Sequence, residues 1–107
     1  EYYVDKAGKI SAAPEKIFTF NLMQNYPNPF NPVTTINYSI AKAGLVTLQV
    51  YDILGREVKT LVNEVKAAGN YEVNFNATST GSLASGMYIY KLTAGSFTKV
   101  NKMLLLK

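Results

Sequence analysis

Apolar and polar residues alternate with a period of two through most of residues 36–107, a pattern that predicts β-strands with one buried face. Ile36, Tyr38 and Ile40 share one side, with Asn37 and Ser39 opposite. Val46, Leu48 and Val50 repeat this against Thr47 and Gln49. Asp52-Ile53-Leu54-Gly55 then reads as a turn, in which Asp bonds back to the chain and Gly takes a conformation other residues resist. Residues 56–62 are mostly polar, with Val58, Thr60 and Val62 in phase, as in an edge strand. Ala67-Ala68-Gly69 turns the chain into Tyr71, Val73 and Phe75, with Glu72 and Asn74 outward. The longest loop covers residues 76–85, where Leu83 is the one sizeable apolar side chain. Two apolar runs close the chain over residues 85–107, joined at Ala94-Gly95-Ser96 by a short hairpin loop with Gly where positive φ is cheap. Further forward, residues 17–22 predict the first strand of this body, with Phe18, Phe20 and Leu22 on one face. No stretch has helical periodicity, and no internal repeat is visible.

About seven strands with short turns predict an all-β fold, an Ig-like antiparallel β-sandwich, and such sandwiches run to about 100 residues. Gly86-Met87-Tyr88-Ile89-Tyr90 opens the penultimate strand, where Ig-type sandwiches place a corner tyrosine whose hydroxyl bonds the preceding loop. Tyr90 then stands where antibody domains carry their second cysteine, and Tyr88, Tyr90 and Leu92 point inward. Residues 17–107 make up this domain. Residues 1–16 read as a linker from an upstream domain, with Tyr2-Tyr3-Val4 read as a short strand within it, and Glu1 in place of Met suggests a piece of something longer.

Between the first two strands of the body lies Tyr26-Pro27-Asn28-Pro29-Phe30-Asn31-Pro32. Pro27, Pro29 and Pro32 have no N–H for a ladder and push their predecessors toward extended geometry. The segment is therefore extended yet unfit for mid-sheet. Asn28 and Asn31 can bond nearby backbone through their side chains, and Phe30 is the expected anchor, its burial contributing roughly 1.5–3 kcal/mol. A rigid crossing between two sheets is preferred to a Pro-rich ligand for a partner domain.

Composition narrows the chemistry. Of 107 residues 48% are apolar, enough for a core, and no run approaches a membrane-spanning helix. Cysteine is absent, which excludes disulfides and thiolate metal sites. Histidine is absent too, which removes the commonest general base and metal ligand. The seven carboxylates form no close motif; Asp52 and Glu57 flank one turn, but the turn lacks the alternating oxygen ligands of a calcium loop. Glycines never gather into a phosphate cradle. Asn37-Tyr38-Ser39 and Asn76-Ala77-Thr78 match the glycosylation pattern, which arises often by chance. The expectation is a protein that is not an enzyme and needs no cofactor or metal. The net charge of +4 is placed late: beyond Glu72 there is no acid, while Lys91, Lys99, Lys102 and Lys107 follow. Lysines spread over two strands without an Arg cluster read as keeping exposed strands soluble rather than as a nucleic-acid surface.

Four blocks in order carry a family resemblance: residues 25–32 (NYPNPFNP), 50–58 (VYDILGREV), 85–88 (SGMY) and 102–107 (KMLLLK). With these the chain resembles the type A C-terminal sorting domain of proteins exported by the type IX secretion system. It departs from the family at Ile40-Ala41, where Leu-Pro is common, at Asn76, where an acid is common, and in a longer stretch over residues 78–82. The resemblance implies an Ig-like sandwich that addresses its passenger to the secretion translocon. Passage would run through the periplasm and across the outer membrane to the medium or cell surface, followed by removal by a sortase-like peptidase. The implied recognition residues are Lys102, Met103, Leu104, Leu105, Leu106 and Lys107, with Gly86, Tyr88, Gly55 and Arg56, and Pro27, Asn28, Pro29, Phe30, Asn31 and Pro32. The last strand is expected to be decisive, read in part by strand addition. Partners are thus the translocon, the peptidase and the covalently joined passenger, with no nucleic acid and no transmembrane segment. Two other readings stand beside it. One is the Ig-like structural domain of a flagellar hook-capping protein. The other is a carbohydrate-binding module, suggested by eight tyrosines, which would require a coplanar row of exposed rings.

Overall fold

A computed structural model describes residues 2–4, 10–12, 17–79, 81 and 83–107. Strand β1 (Tyr2–Val4) pairs antiparallel with β2 (Ile10–Ala12), Tyr2 opposite Ala12. The short strand expected at Tyr2 is therefore present, and β2, which no alternation announces, is added to it. The rest of the 1–16 linker lies outside the described residues.

The body is a sandwich of two antiparallel sheets. One holds β3 (Asn21–Leu22), β4 (Val33–Ile40) and β7 (Gly69–Asn76), in that order. The other runs β6 (Glu57–Lys66), β5 (Gly44–Asp52), β8 (Gly86–Ala94) and β9 (Phe97–Leu105). The inward residues are those the alternation marks: Ile36, Tyr38 and Ile40 from one sheet face Val46, Leu48, Val50, Tyr90 and Leu92 from the other, all buried. Met103 and Leu105 of β9 are fully buried as well, so the last strand is part of the core. Each such side chain contributes roughly 1.5–3 kcal/mol of transfer free energy. The β8–β9 hairpin turns on Gly95-Ser96, with Gly95 at φ 59°, the left-handed value that a two-residue turn of type II′ needs at its first position.

Three expectations need correction. The first strand of the body is two residues long, not six. Asn21 stands opposite Ser39, so Phe20 faces the end of β4 at Ile40 and residues 17–19 run past the partner strand. Phe20 still packs against the core, half-buried as Phe18 is, while Ile17 and Thr19 are exposed. Ser39, expected to point outward to solvent, is buried because its hydroxyl donates to the Thr19 carbonyl. In β6, which is indeed an edge, Thr60 is exposed rather than in phase with Val58 and Val62. The register steps from Leu48–Val62 to Gln49–Thr60, so Leu61 is the extra residue of a bulge.

Candidate functional site

The strand register gathers the separate sequence blocks at one end of the sandwich. Asp52 at the end of β5 pairs with Tyr88, Tyr88 pairs with Met103, and Gly86 pairs with Leu105. Beyond β9, Phe30 forms a parallel bridge with Leu105. The 52–56 turn, the start of β8, the end of β9 and the Pro-rich segment therefore lie side by side, with neighbouring strands about 4.8 Å apart.

The turn is held by its own side chains. The Asp52 carboxylate accepts from the Leu54 amide (2.9 Å), the Arg56 amide (3.0 Å) and the Arg56 Nε (2.8 Å), while Gly55 takes φ 82°. The Arg56 amide, then the guanidinium and the Leu54 amide, hold the Asp52 pKa below the ordinary aspartate value. Glu57 has separate partners, the Thr60 hydroxyl and the Gln49 amide, which lower its pKa likewise. The two carboxylates beside the turn thus serve different local bonds and form no common site. What the turn presents outward is its tip: Ile53 is 69% exposed and Leu54 73%.

The Pro-rich segment crosses from one sheet to the other. It leaves the three-stranded sheet at Tyr26, which exchanges both backbone bonds with Thr35 (3.0 and 2.9 Å). It reaches the four-stranded sheet at Phe30, whose amide donates to the Leu104 carbonyl (2.9 Å) and whose carbonyl accepts from the Leu106 amide (3.1 Å). The bonds preceding Pro27, Pro29 and Pro32 are all cis. Phe30 is buried against the edge of the Phe75 ring, with centroids 6.0 Å apart, so it is the anchor the sequence marks. Asn28 differs from expectation. Its side-chain oxygen accepts from the Leu104 amide (2.9 Å) in β9 and not from nearby backbone. Gln24 adds a bond from its Nε2 to the Lys102 carbonyl (2.7 Å). The outer edge of β9 is therefore occupied at Lys102, Leu104 and Leu106, and the tip of the strand is closed to simple strand addition.

Two tyrosines pin this end. The Tyr88 hydroxyl donates to the Ala84 carbonyl (2.7 Å), the corner bond that Ig-type sandwiches show. Tyr90, fully buried, donates to the Met23 carbonyl (2.7 Å) and accepts from the Asn25 amide (2.8 Å), tying β8 to the chain just before the Pro-rich segment. Burial raises its pKa. The buried Asn25 side chain in turn donates to Thr34 (2.9 Å) and to the Pro27 carbonyl (3.1 Å).

Of the candidate recognition residues, Met103, Leu105, Phe30 and Tyr88 are buried, and Gly86 and Leu104 partly so. Lys102, Leu106, Lys107, Arg56, Gly55, Pro27, Asn28, Pro29, Asn31 and Pro32 are exposed. Sequence reasoning missed the Ile53-Leu54 tip and Met87, because an apolar residue in a turn or strand carries no mark of its direction. It also missed Gln24, Asn25 and Ser85, whose Oγ accepts from the Lys107 amide (3.0 Å). Ile53, Leu54, Met87 (42% exposed) and Leu106 (50% exposed) form the apolar part of this end, with Arg56, Lys102 and Lys107 as its cations. Beside it opens a cleft of about 430 Å³ between Asn31, Pro32, Leu83, Leu105 and Lys107. Among the described residues no three acidic, His or Cys side chains cluster as a metal site would, and no helix is long and apolar enough to cross a membrane.

A family model described as "Secretion system C-terminal sorting domain" matches residues 24–106, beginning at Gln24 rather than in the strand before it. No curated protein and no solved structure matches the chain.

Proposed function

The chain belongs to the family of type IX secretion C-terminal sorting domains, and from that premise we propose that the end of the sandwich described above is the surface the secretion machinery reads. The domain is a sorting signal, and its role implies an attached passenger and export across the outer membrane toward the medium or the cell surface. In the finer reading, the domain is folded in the periplasm, is recognised there without catalysing any reaction, and is afterwards removed by a sortase-like peptidase. The linker preceding residue 17 is the place for that cleavage.

One observation carries the choice of surface. The edge of β9 is bonded to Gln24, Asn28 and Phe30, so recognition works through the solvent-exposed residues beside it: Leu106, Lys107, Lys102, Arg56 and the Ile53-Leu54 tip. The carbohydrate-binding reading loses its platform, since Tyr38, Tyr88 and Tyr90 are buried. The hook-cap reading has no observation in its favour.

The test fuses residues 1–107, linker included, to a reporter in a host with this export route. Deleting residues 102–107 is a poor probe, because it removes the fully buried Met103 and Leu105 and unfolds the domain. The informative variant is Lys102→Glu with Leu106→Ser and Lys107→Glu, all exposed positions. It is expected to melt as the parent does while the reporter accumulates in the periplasm. Normal export of this triple variant would sink the reading. Mass analysis of the reporter exported by the parent fusion tests removal: a product still carrying residues 17–107 rejects the peptidase step.

A further inference from the structure

The two sheets have four outer edges, and three of them are guarded in the ways that keep edges from pairing. Strand β6 carries two register shifts and the charges of Lys59, Glu64 and Lys66. Strand β9 is strapped from Lys102 onward by Gln24, Asn28 and Phe30. Strand β3 is two residues long. Strand β7 has none of these devices. It runs eight residues in unbroken register with β4, contains no proline or lysine, and carries Glu72 as its one charge. No hydrogen bond among the described residues reaches the far edge of residues 70–75. Tyr71 and Val73 are only half-buried.

We propose that β7 pairs antiparallel with β7 of a second copy of this chain, joining two three-stranded sheets into one. A two-fold axis normal to the sheet keeps every side chain on its own face, so the permitted registers are centred on a residue. Centring on Glu72 sets two carboxylates directly opposite, which is destabilising. Centring on Tyr71 or Asn74 leaves fewer residues of Gly69–Asn76 paired. Centring on Val73 pairs residues 71–75 in full and ends at Asn70 and Asn76, where the Asn76 carbonyl already accepts from the Ser79 amide (3.0 Å) and hydroxyl (2.7 Å). It puts Tyr71 opposite Phe75 on the core side, and Glu72 opposite Asn74 and Asn70 opposite Asn76 on the outer side. A single added ladder buries less than a standard interface, so the association is weak and concentration-dependent.

The register dictates the test. Sedimentation equilibrium of the full chain, over a concentration series, is compared with three variants. Asn74→Lys places a cation opposite the partner's Glu72 and is expected to tighten the dimer. Asn74→Glu places like charges opposite and is expected to loosen it. The charge-reversed double variant, Glu72→Lys with Asn74→Glu, is expected to tighten it again. Two symmetry-related cross-strand pairs change in each case, so each shift is expected at about two- to thirty-fold in the dimer constant. Thermal melts check that residue 74, exposed and with its side chain bonded to the Thr35 hydroxyl (2.8 Å), leaves the monomer intact. Amide exchange on the unmodified chain gives a second readout, with protection along residues 70–75 rising with concentration. A chain that stays monomeric at the highest concentration reached, or a dimer indifferent to residue 74, overturns the assignment.

Discussion

Phe30 lies beside Leu105 as the residue of a fifth strand would, giving its amide to the Leu104 carbonyl and taking the Leu106 amide. A segment that its prolines bar from any sheet interior thereby closes the edge of the last strand, β9. Leu105 fills the core, and Phe30 fixes where Leu106 and Lys107 leave it.

Removing the anchor and removing the strap bond should separate. Phe30→Ala empties a buried ring position and is expected to cost about 3–5 kcal/mol in a urea melt. Asn28→Ala removes one bond to the Leu104 amide and is expected to cost about 1 kcal/mol. Its visible effect is local, faster exchange of the Leu104 amide with the rest of β8 and β9 unchanged.

Tyr90→Phe keeps the ring and deletes the hydroxyl, stranding the Met23 carbonyl and the Asn25 amide. The expected loss is about 1–3 kcal/mol, against about 0.5–1.5 kcal/mol for Tyr88→Phe, which loses one partly buried bond. Burial favours the neutral Tyr90 phenol in the folded state. The unfolded chain ionises near pH 10, so stability falls as pH rises above that value. The Phe variant is expected to show a shallower alkaline loss in melts across that range.

The 52–56 turn has the opposite pH sense. The folded Asp52 carboxyl titrates below its unfolded value of about 3.9, so its contribution is fully present above that pH and is lost as pH falls through the lower folded value. Amide shifts of Leu54 and Arg56 followed in acid should report that lower midpoint, and Asp52→Asn should abolish it. Gly55→Ala forces a side chain into φ 82° and is expected to destabilise the turn at any pH.

Ile53→Ser with Leu54→Ser tests the tip of that turn as part of the recognition surface. Both side chains are exposed, so the melt is expected to stay within about 0.5 kcal/mol of the parent. Export of a fused reporter is expected to fall, as measured by its ratio between medium and periplasm.

Residues 36–40, 46–50, 71–75 and 88–92 were legible as strands from sequence, inward face included, because each buries one side against a core and that requirement writes a period of two into the chain. The corner role of Tyr88 and the anchor role of Phe30 were legible too, since a tyrosine opening a strand and a ring among prolines each have few places to go. What the chain order could not reveal is what lies beside what. The bonds from Gln24, Asn28 and Phe30 to β9 join residues more than seventy positions apart, and no local pattern encodes them. The shortness of β3 and the bulge at Leu61 likewise depend on where a partner strand ends or slips. An apolar side chain announces that it wants cover, but only the packed sandwich decides whether it finds any. Leu105 does, while Ile53, Leu54 and Leu106 stay in solvent at the end where the sorting blocks meet.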